Sequence, residues 1–123
     1  MQYSVLGPTG VKVSRICLGT ATFGVAPSVH DADRIVGTAL DLGINFVDTA
    51  DVYGNMPVFD RPAAPPAHGR EPAEQILGRA LRGRRDQMVI ATKSNGIVGF
   101  DVNDRGLSRR HIIGQVETSL RRL

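Results

Sequence analysis

Two kinds of apolar pattern alternate along this chain. Short, nearly unbroken runs stand at Ile16-Cys17-Leu18, Ile44 to Val47 and Met88 to Thr92. Between and after them, single apolar stripes recur at helical spacing: Ala32, Ile35, Val36, Ala39, Leu40; then Ala73, Ile76, Leu77, Ala80, Leu81; then Ile113, Val116, Leu120, Leu123. The runs read as strands covered on both faces, and the stripes as amphipathic helices with one face inward. Their ends carry matching signals. Ser28 or Asp31 caps the first helix over residues 31–42, with Gly43 past its end. Glu71-Pro72 opens the second helix, which Gly83 closes, and Ser108 caps the third. Before all of these, Tyr3 to Leu6 and Val11 to Val13 flank Gly7-Pro8-Thr9-Gly10 and predict a half-buried hairpin.

Strand and helix thus alternate three times after the hairpin, with boundaries near 1–14, 15–43, 44–86 and 87–123. Continuous apolar strands joined through helices predict an α/β fold with a parallel sheet. On periodicity alone, an open doubly wound sheet and part of a (β/α)8 barrel both fit. No G-x-G-x-x-G follows the first strand, which weighs against a dinucleotide-binding open sheet. In either architecture, ligands bind at the C-terminal ends of the strands.

A length of 123 residues allows one domain with a modest core. The composition, 41% hydrophobic and 22% charged without Trp, is that of a soluble globular protein. No apolar run approaches a membrane span, and the N-terminus lacks the pattern of a secretory signal. The one cysteine, Cys17, reads as a buried thiol, and a cytoplasmic location follows from these features. The net charge of +3 raises nucleic acid as a partner. The basic residues, however, cluster at helix ends (Arg82, Arg84, Arg85; Arg121, Arg122) or around a helix start (Arg105, Arg109, Arg110), where they read as solvated. No aromatic residues interleave with them, so neither nucleic acid nor membrane is expected as a partner.

The candidate chemistry sits on the strand ends. Phe46-Val47 runs into Asp48, a loop then carries Tyr53 and turns at Gly54, and the third strand delivers Lys93. Parallel pairing brings Asp48, Tyr53 and Lys93 to one rim, a plausible proton-transfer site. Gly19 to Gly24, after the first strand, is a loop whose glycines permit close approach of a ligand. Singly, each has an ordinary structural role: a turn cap, a ring packed on the rim, a solvated strand end. No metal-ligand cluster is evident. Met56 to Gly69, with Pro57, Pro62, Pro65 and Pro66, is a long loop of the kind that is functional or disordered. His30 and His68 read as exposed.

Taken together, Gly19-Thr20-x-x-Phe23-Gly24, Gly43-Ile44-Asn45-Phe46-Val47-Asp48-Thr49-Ala50, Tyr53-Gly54, Ile76 to Leu81 and Ala91-Thr92-Lys93 resemble the aldo-keto reductases in order and spacing. The resemblance implies a (β/α)8 barrel capped by an N-terminal hairpin, of which this chain supplies the N-terminal portion in three βα units. It implies hydride transfer between a nicotinamide cofactor, usually NADPH with NADH not excluded, and a small-molecule aldehyde or ketone. On these residues it makes Tyr53 the proton donor to the carbonyl oxygen. A free phenol, with a pKa of about 10, is a sluggish acid near neutrality. The resemblance makes Lys93 the cation that tunes such a phenol and Asp48 the lysine's partner, also close to the nicotinamide ribose. Gly19, Thr20 and Ala21 would lie beside the nicotinamide.

Two features depart from the family pattern. The proline-rich loop is longer than many members carry, and the strand bearing the family's catalytic histidine is absent; His111, on the helix before it, is not its match. A full barrel takes ~250 residues. Three units alone leave a sheet edge and helix stripes open to association, with a missing half or with another copy. The expectation is therefore an N-terminal fragment with little or no turnover by itself. Two alternatives stay open: a non-catalytic binding or regulatory subunit built on a reductase-like barrel, and an open-sheet nucleotide-binding domain.

Overall fold

The computed structural model describes residues 1–123. Strands β1 (Tyr3–Val5) and β2 (Lys12–Ser14) form an antiparallel hairpin around a single 3-10 turn at Gly7–Thr9. A three-stranded parallel sheet follows, with β3 (Leu18–Gly19), β4 (Phe46–Asp48) and β5 (Val89–Ala91) in sequence order. Between and after the strands run helices α1 (Val29–Asp41), α2 (Ala73–Ala80) and α3 (Arg109–Arg122). The hairpin and three consecutive βα units are the architecture expected of part of a (β/α)8 barrel.

The core lies where α1 and α2 pack on each other and on the sheet. Ala32 and Val36 from α1, Val47 from β4, and Ala73, Ile76, Leu77, Ala80 and Leu81 from the second stripe are all buried there, joined by Phe23 and Met88. Each helix starts where its local chemistry directs. The Ser28 hydroxyl accepts from the Asp31 N–H, and the Ser108 hydroxyl accepts from the His111 N–H. Gly43, just past α1, has φ +81°, a conformation that a side chain disfavours. The hairpin is tied to the sheet by Asn45, which accepts from the Ser14 N–H at 2.7 Å and donates to the Lys12 carbonyl at 3.0 Å.

Three expectations need correction. Ile16 and Cys17 are exposed, because β3 is a two-residue edge strand with no neighbour beyond it. The third helix is turned the other way round: Ile113, Val116 and Leu120 face solvent at 42, 46 and 75% exposure, while His111 and Ser119 are buried. The exposed stripe is one that three units alone leave open, and the opposite face meets a fully buried carboxylate, Glu74, on α2. It needs donors, and the polar face of α3 supplies them through Ser119 and Arg122. Arg122 is accordingly an inward-facing ion-pair partner and not a solvated helix end.

The proline-rich loop is organised by a single side chain. Arg70 is buried; its guanidinium donates to the carbonyls of Pro65 at 2.8 Å and Gly54 at 3.0 Å and pairs with Asp60. Asn55 adds donations to the carbonyls of Ala67 and Arg70.

Candidate active site

The register of the parallel sheet decides what meets at its rim. Gly19 pairs with Asp48 across β3–β4, and Asp48 pairs with Ala91 across β4–β5. Hydrogen bonding continues past the strand ends: Thr49 N–H to the Ala91 carbonyl, and Asp51 N–H to the Lys93 carbonyl. Side chains leaving Asp48 and Lys93 therefore emerge at the same level, and the short turn after Ala50 carries Tyr53 over them.

Lys93 is the hub. Its Nζ lies 2.8 and 2.7 Å from the two carboxylate oxygens of Asp48, 2.8 Å from the Thr49 carbonyl and 3.1 Å from the Tyr53 hydroxyl oxygen. It also sits 4.6 Å from the centroid of the Tyr53 ring, where the π face favours a cation. An ammonium has three N–H donors and no acceptor. Asp48, Thr49 and Tyr53 occupy all three, so Lys93 has no free proton to offer a ligand. Partial burial works against its charge, but the hydrogen bonds and charges of Asp48 and Tyr53 outweigh that, and its pKa is held above the usual lysine value. Because the Tyr53 oxygen accepts from Lys93, its own O–H remains free to donate outward.

Tyr53 is positioned from behind by α2. Its carbonyl accepts from the Ala73 N–H at 2.8 Å, and its ring packs against the core. Gly54 makes this approach possible. It has φ +90°, and a side chain there would meet the Glu71 carbonyl at 2.7 Å and the Ala73 nitrogen at 2.9 Å.

On the other flank, Thr20 donates to the Asp48 carbonyl through both its N–H, at 3.1 Å, and its hydroxyl, at 2.9 Å. Gly19 is different: a β-carbon built there meets nothing within 4 Å. Open space thus borders Gly19 beside the half-exposed Asp48 carboxylate, with Ala21 half-buried on the following turn. Cys17 lies near enough to feel the charges of this site. Burial and Asp48 push its thiol pKa up, while Lys93 pulls it down by less.

Beside the site opens a pocket of about 500 Å³. Met56, Pro57 and Val58 of the proline-rich loop wall it on one side, Ile97 and Val98 on the other, and Val52 between them. Asp51 is buried next to it with neither carboxylate oxygen hydrogen-bonded. Burial and the charge of Glu74 raise its pKa, with the backbone N–H of Val52, His111 and Arg122 in partial opposition.

All the residues singled out from the sequence (Gly19, Thr20, Ala21, Asp48, Tyr53 and Lys93) therefore lie at one end of the parallel sheet. The supporting residues Glu74, Arg70 and Asn55 escaped that reading. Glu74 had a signal: at i, i+3 and i+7 it shares a helix face with Leu77 and Leu81, both buried. His30 and His68 are exposed and far from any partner in hydrogen-bond range, and no cluster of three or more metal-ligating side chains exists.

The chain is similar to several known proteins. Over its full length the chain is 41% identical to a "Probable voltage-gated potassium channel subunit beta" of Arabidopsis thaliana, covering 34% of that protein. It is likewise 41% identical to the "Uncharacterized oxidoreductase YrpG" of Bacillus subtilis, covering 36% of it. It thus spans about a third of the length of these curated relatives. Two solved structures described as aldo-keto reductases from Pseudomonas aeruginosa superpose on 98% of the chain with TM-scores of 0.73 and 0.74, at 36 and 34% identity, and the chain covers 41 and 42% of them. The model of the aldo/keto reductase family matches residues 15–123, and the chain belongs to that family.

Proposed function

We propose that this chain carries the proton-donating half of a nicotinamide-dependent carbonyl reductase, with Tyr53 as the acid. The observation that supports this reading is the Lys93 ammonium, 3.1 Å from the Tyr53 oxygen and hydrogen-bonded to both oxygens of Asp48. As a carbonyl oxygen gains negative charge, the free Tyr53 O–H gives up its proton, and charge develops on the phenol oxygen. Lys93 already points an N–H at that oxygen, so no reorganisation is needed when the charge forms. Asp48 keeps the lysine charged and aimed. The three act as one unit.

Gly19, Thr20, Ala21 and Asp48 would hold the nicotinamide nucleotide, NADPH or NADH. The open space over Gly19 suits a flat ring, and Asp48 offers an acceptor to a ribose hydroxyl. When bound, that group supplies the hydride. The same reading takes the substrate to be a small aldehyde or ketone and the location to be cytoplasmic.

Lys93 and Asp48 are 48 and 39% exposed at the side chain, so water screens the electrostatics that the step requires. The isolated 123-residue chain is therefore expected to turn over slowly or not at all. The test is a fusion of residues 1–123 to the remaining two-thirds of the Bacillus subtilis relative, assayed by NADPH oxidation with an aldehyde. Tyr53→Phe in that fusion should lower kcat by at least about a hundredfold with the fold intact. Equal activity of the two would refute the proton-donor role.

A second reading, a regulatory subunit that does not depend on catalysis, rests on the channel-subunit names of the plant relatives. It predicts that Tyr53→Phe leaves the biological activity of the full-length protein unchanged.

A further inference from the structure

The carboxylate of Glu74 is fully buried, and the site described above does not use it. An acid in the first turn of a helix ordinarily faces water and complements the positive end of the dipole. Glu74 instead points inward with no exposed surface, which carries a large desolvation cost. Its contacts show what that arrangement holds together. Oε1 accepts from the hydroxyls of Thr92 and Ser119, each at 2.7 Å, and Oε2 accepts from Arg122 at 3.0 Å. The Arg122 nitrogen is also 3.5 Å from the Asp51 carbonyl.

Two of the attachments lead to the rim. Thr92 immediately precedes Lys93, and the residue next to Glu74, Ala73, donates its N–H to the carbonyl of Tyr53. Tyr53 and Lys93 come from different strand ends, yet each is gripped through consecutive residues of one helical turn. A helical turn is rigid, whereas a lysine on a strand end open to solvent is not. Ladder bonds fix the level of β5 and apolar packing holds α2 on the sheet, and the Glu74–Thr92 bond adds a directional polar link between that helical turn and the residue before Lys93.

We propose that Glu74 is a positioning residue that sets the spacing between Tyr53 and Lys93 through Thr92. The proposal rests on reading those two residues as the acid and its cationic support, but its test reads their contact directly. The measurement is the titration of the Lys93 ¹³Cε resonance in the 123-residue chain, with circular dichroism confirming the fold. Thr92→Val keeps the β-branched shape at an exposed position and removes only the bond to Glu74. Its Lys93 should shift down toward the ordinary lysine value as contact with Asp48 and Tyr53 loosens. Thr92→Ser restores the hydroxyl and should return the wild-type titration. Ser119→Ala removes an equivalent bond to the same oxygen from the α3 side, and should lower Tm without moving Lys93. A wild-type Lys93 titration in folded Thr92→Val overturns the proposal, as does an equal shift in Ser119→Ala. Failure of the carbonyl-reduction assay would leave these outcomes untouched and would count against the catalytic reading alone.

Discussion

Lys93 and Asp51, joined at the same rim by a backbone hydrogen bond of 3.1 Å, both have raised folded-state pKa values, so each costs stability as pH climbs, in different ranges. The folded-state pKa of Lys93 is raised, so its contribution to stability is complete below about pH 10 and lost as pH climbs through the raised value. Asp48→Asn removes the charge and one acceptor oxygen, and should bring the Lys93 titration down and flatten the alkaline loss of stability; heat denaturation followed across that range checks it. For Asp51 a raised pKa means that the folded chain keeps a proton the unfolded chain has released. Its ionisation therefore costs stability from about pH 4 upward through the raised value, and the penalty persists above it. The difference in Tm between Asp51→Asn and the parent chain should move in favour of the variant as pH rises from about 4 to 7. A constant difference would mean that Asp51 is not strained by burial. The sequence made Asp48, Tyr53 and Lys93 legible because residues at the C-terminal ends of parallel strands must share a rim. Asp51 was not legible, because nothing in a one-dimensional pattern distinguishes a buried carboxylate from the exposed acid that a turn ordinarily carries; Glu74 was legible only through its place on the face of Leu77 and Leu81.

Among the elements, α2 buries its whole stripe, α1 buries Ala32, Val36 and Ala39 but leaves Ile35 exposed, and α3 leaves its stripe largely uncovered. Five apolar positions of the second stripe are buried as its spacing requires. In α3 the polar face meets a buried carboxylate on a neighbouring helix, and Ile113, Val116 and Leu120 stay uncovered, as three units alone would leave a helix stripe. The proline-rich loop is a similar case. Its composition left function and disorder open, and the deciding residue, Arg70, lies just outside it. Since the guanidinium is buried and satisfies the Pro65 and Gly54 carbonyls, Arg70→Ala leaves the buried Gly54 acceptor unmet and Asp60 unpaired. The expected loss is about 2–4 kcal/mol in chemical denaturation. Limited proteolysis should then cut within residues 56–69 sooner than in the parent chain. Because Gly54 adjoins Tyr53, the same variant should also lower kcat in the fused enzyme. Loss of stability without faster cleavage would mean that the loop is held by something other than Arg70.

At the scale of the molecule, the uncovered surface has a definite shape. β3 and β5 are both edges of the parallel sheet, each presenting unpaired backbone groups on one side. On α3 the exposed Ile113, Val116 and Leu120 form a continuous apolar stripe, and Ile97, Phe100, Val102 and Leu107 add exposed apolar surface in the segment before it. Open edges and contiguous apolar patches drive association. The net charge of +3 is too small to oppose it strongly. The isolated chain should therefore show a concentration-dependent rise in apparent mass by sedimentation velocity. The two surfaces are separable by mutation. Val116→Lys and Leu120→Lys place charge on exposed positions that contact no core residue, so they should leave Tm within about 1 kcal/mol of equivalent stability. If α3 mediates association, the double variant sediments as a monomer where the parent does not. If it associates as strongly as the parent, the sheet edges carry the contact, and a lysine at the exposed Ile16 beside β3 becomes the change that should abolish it.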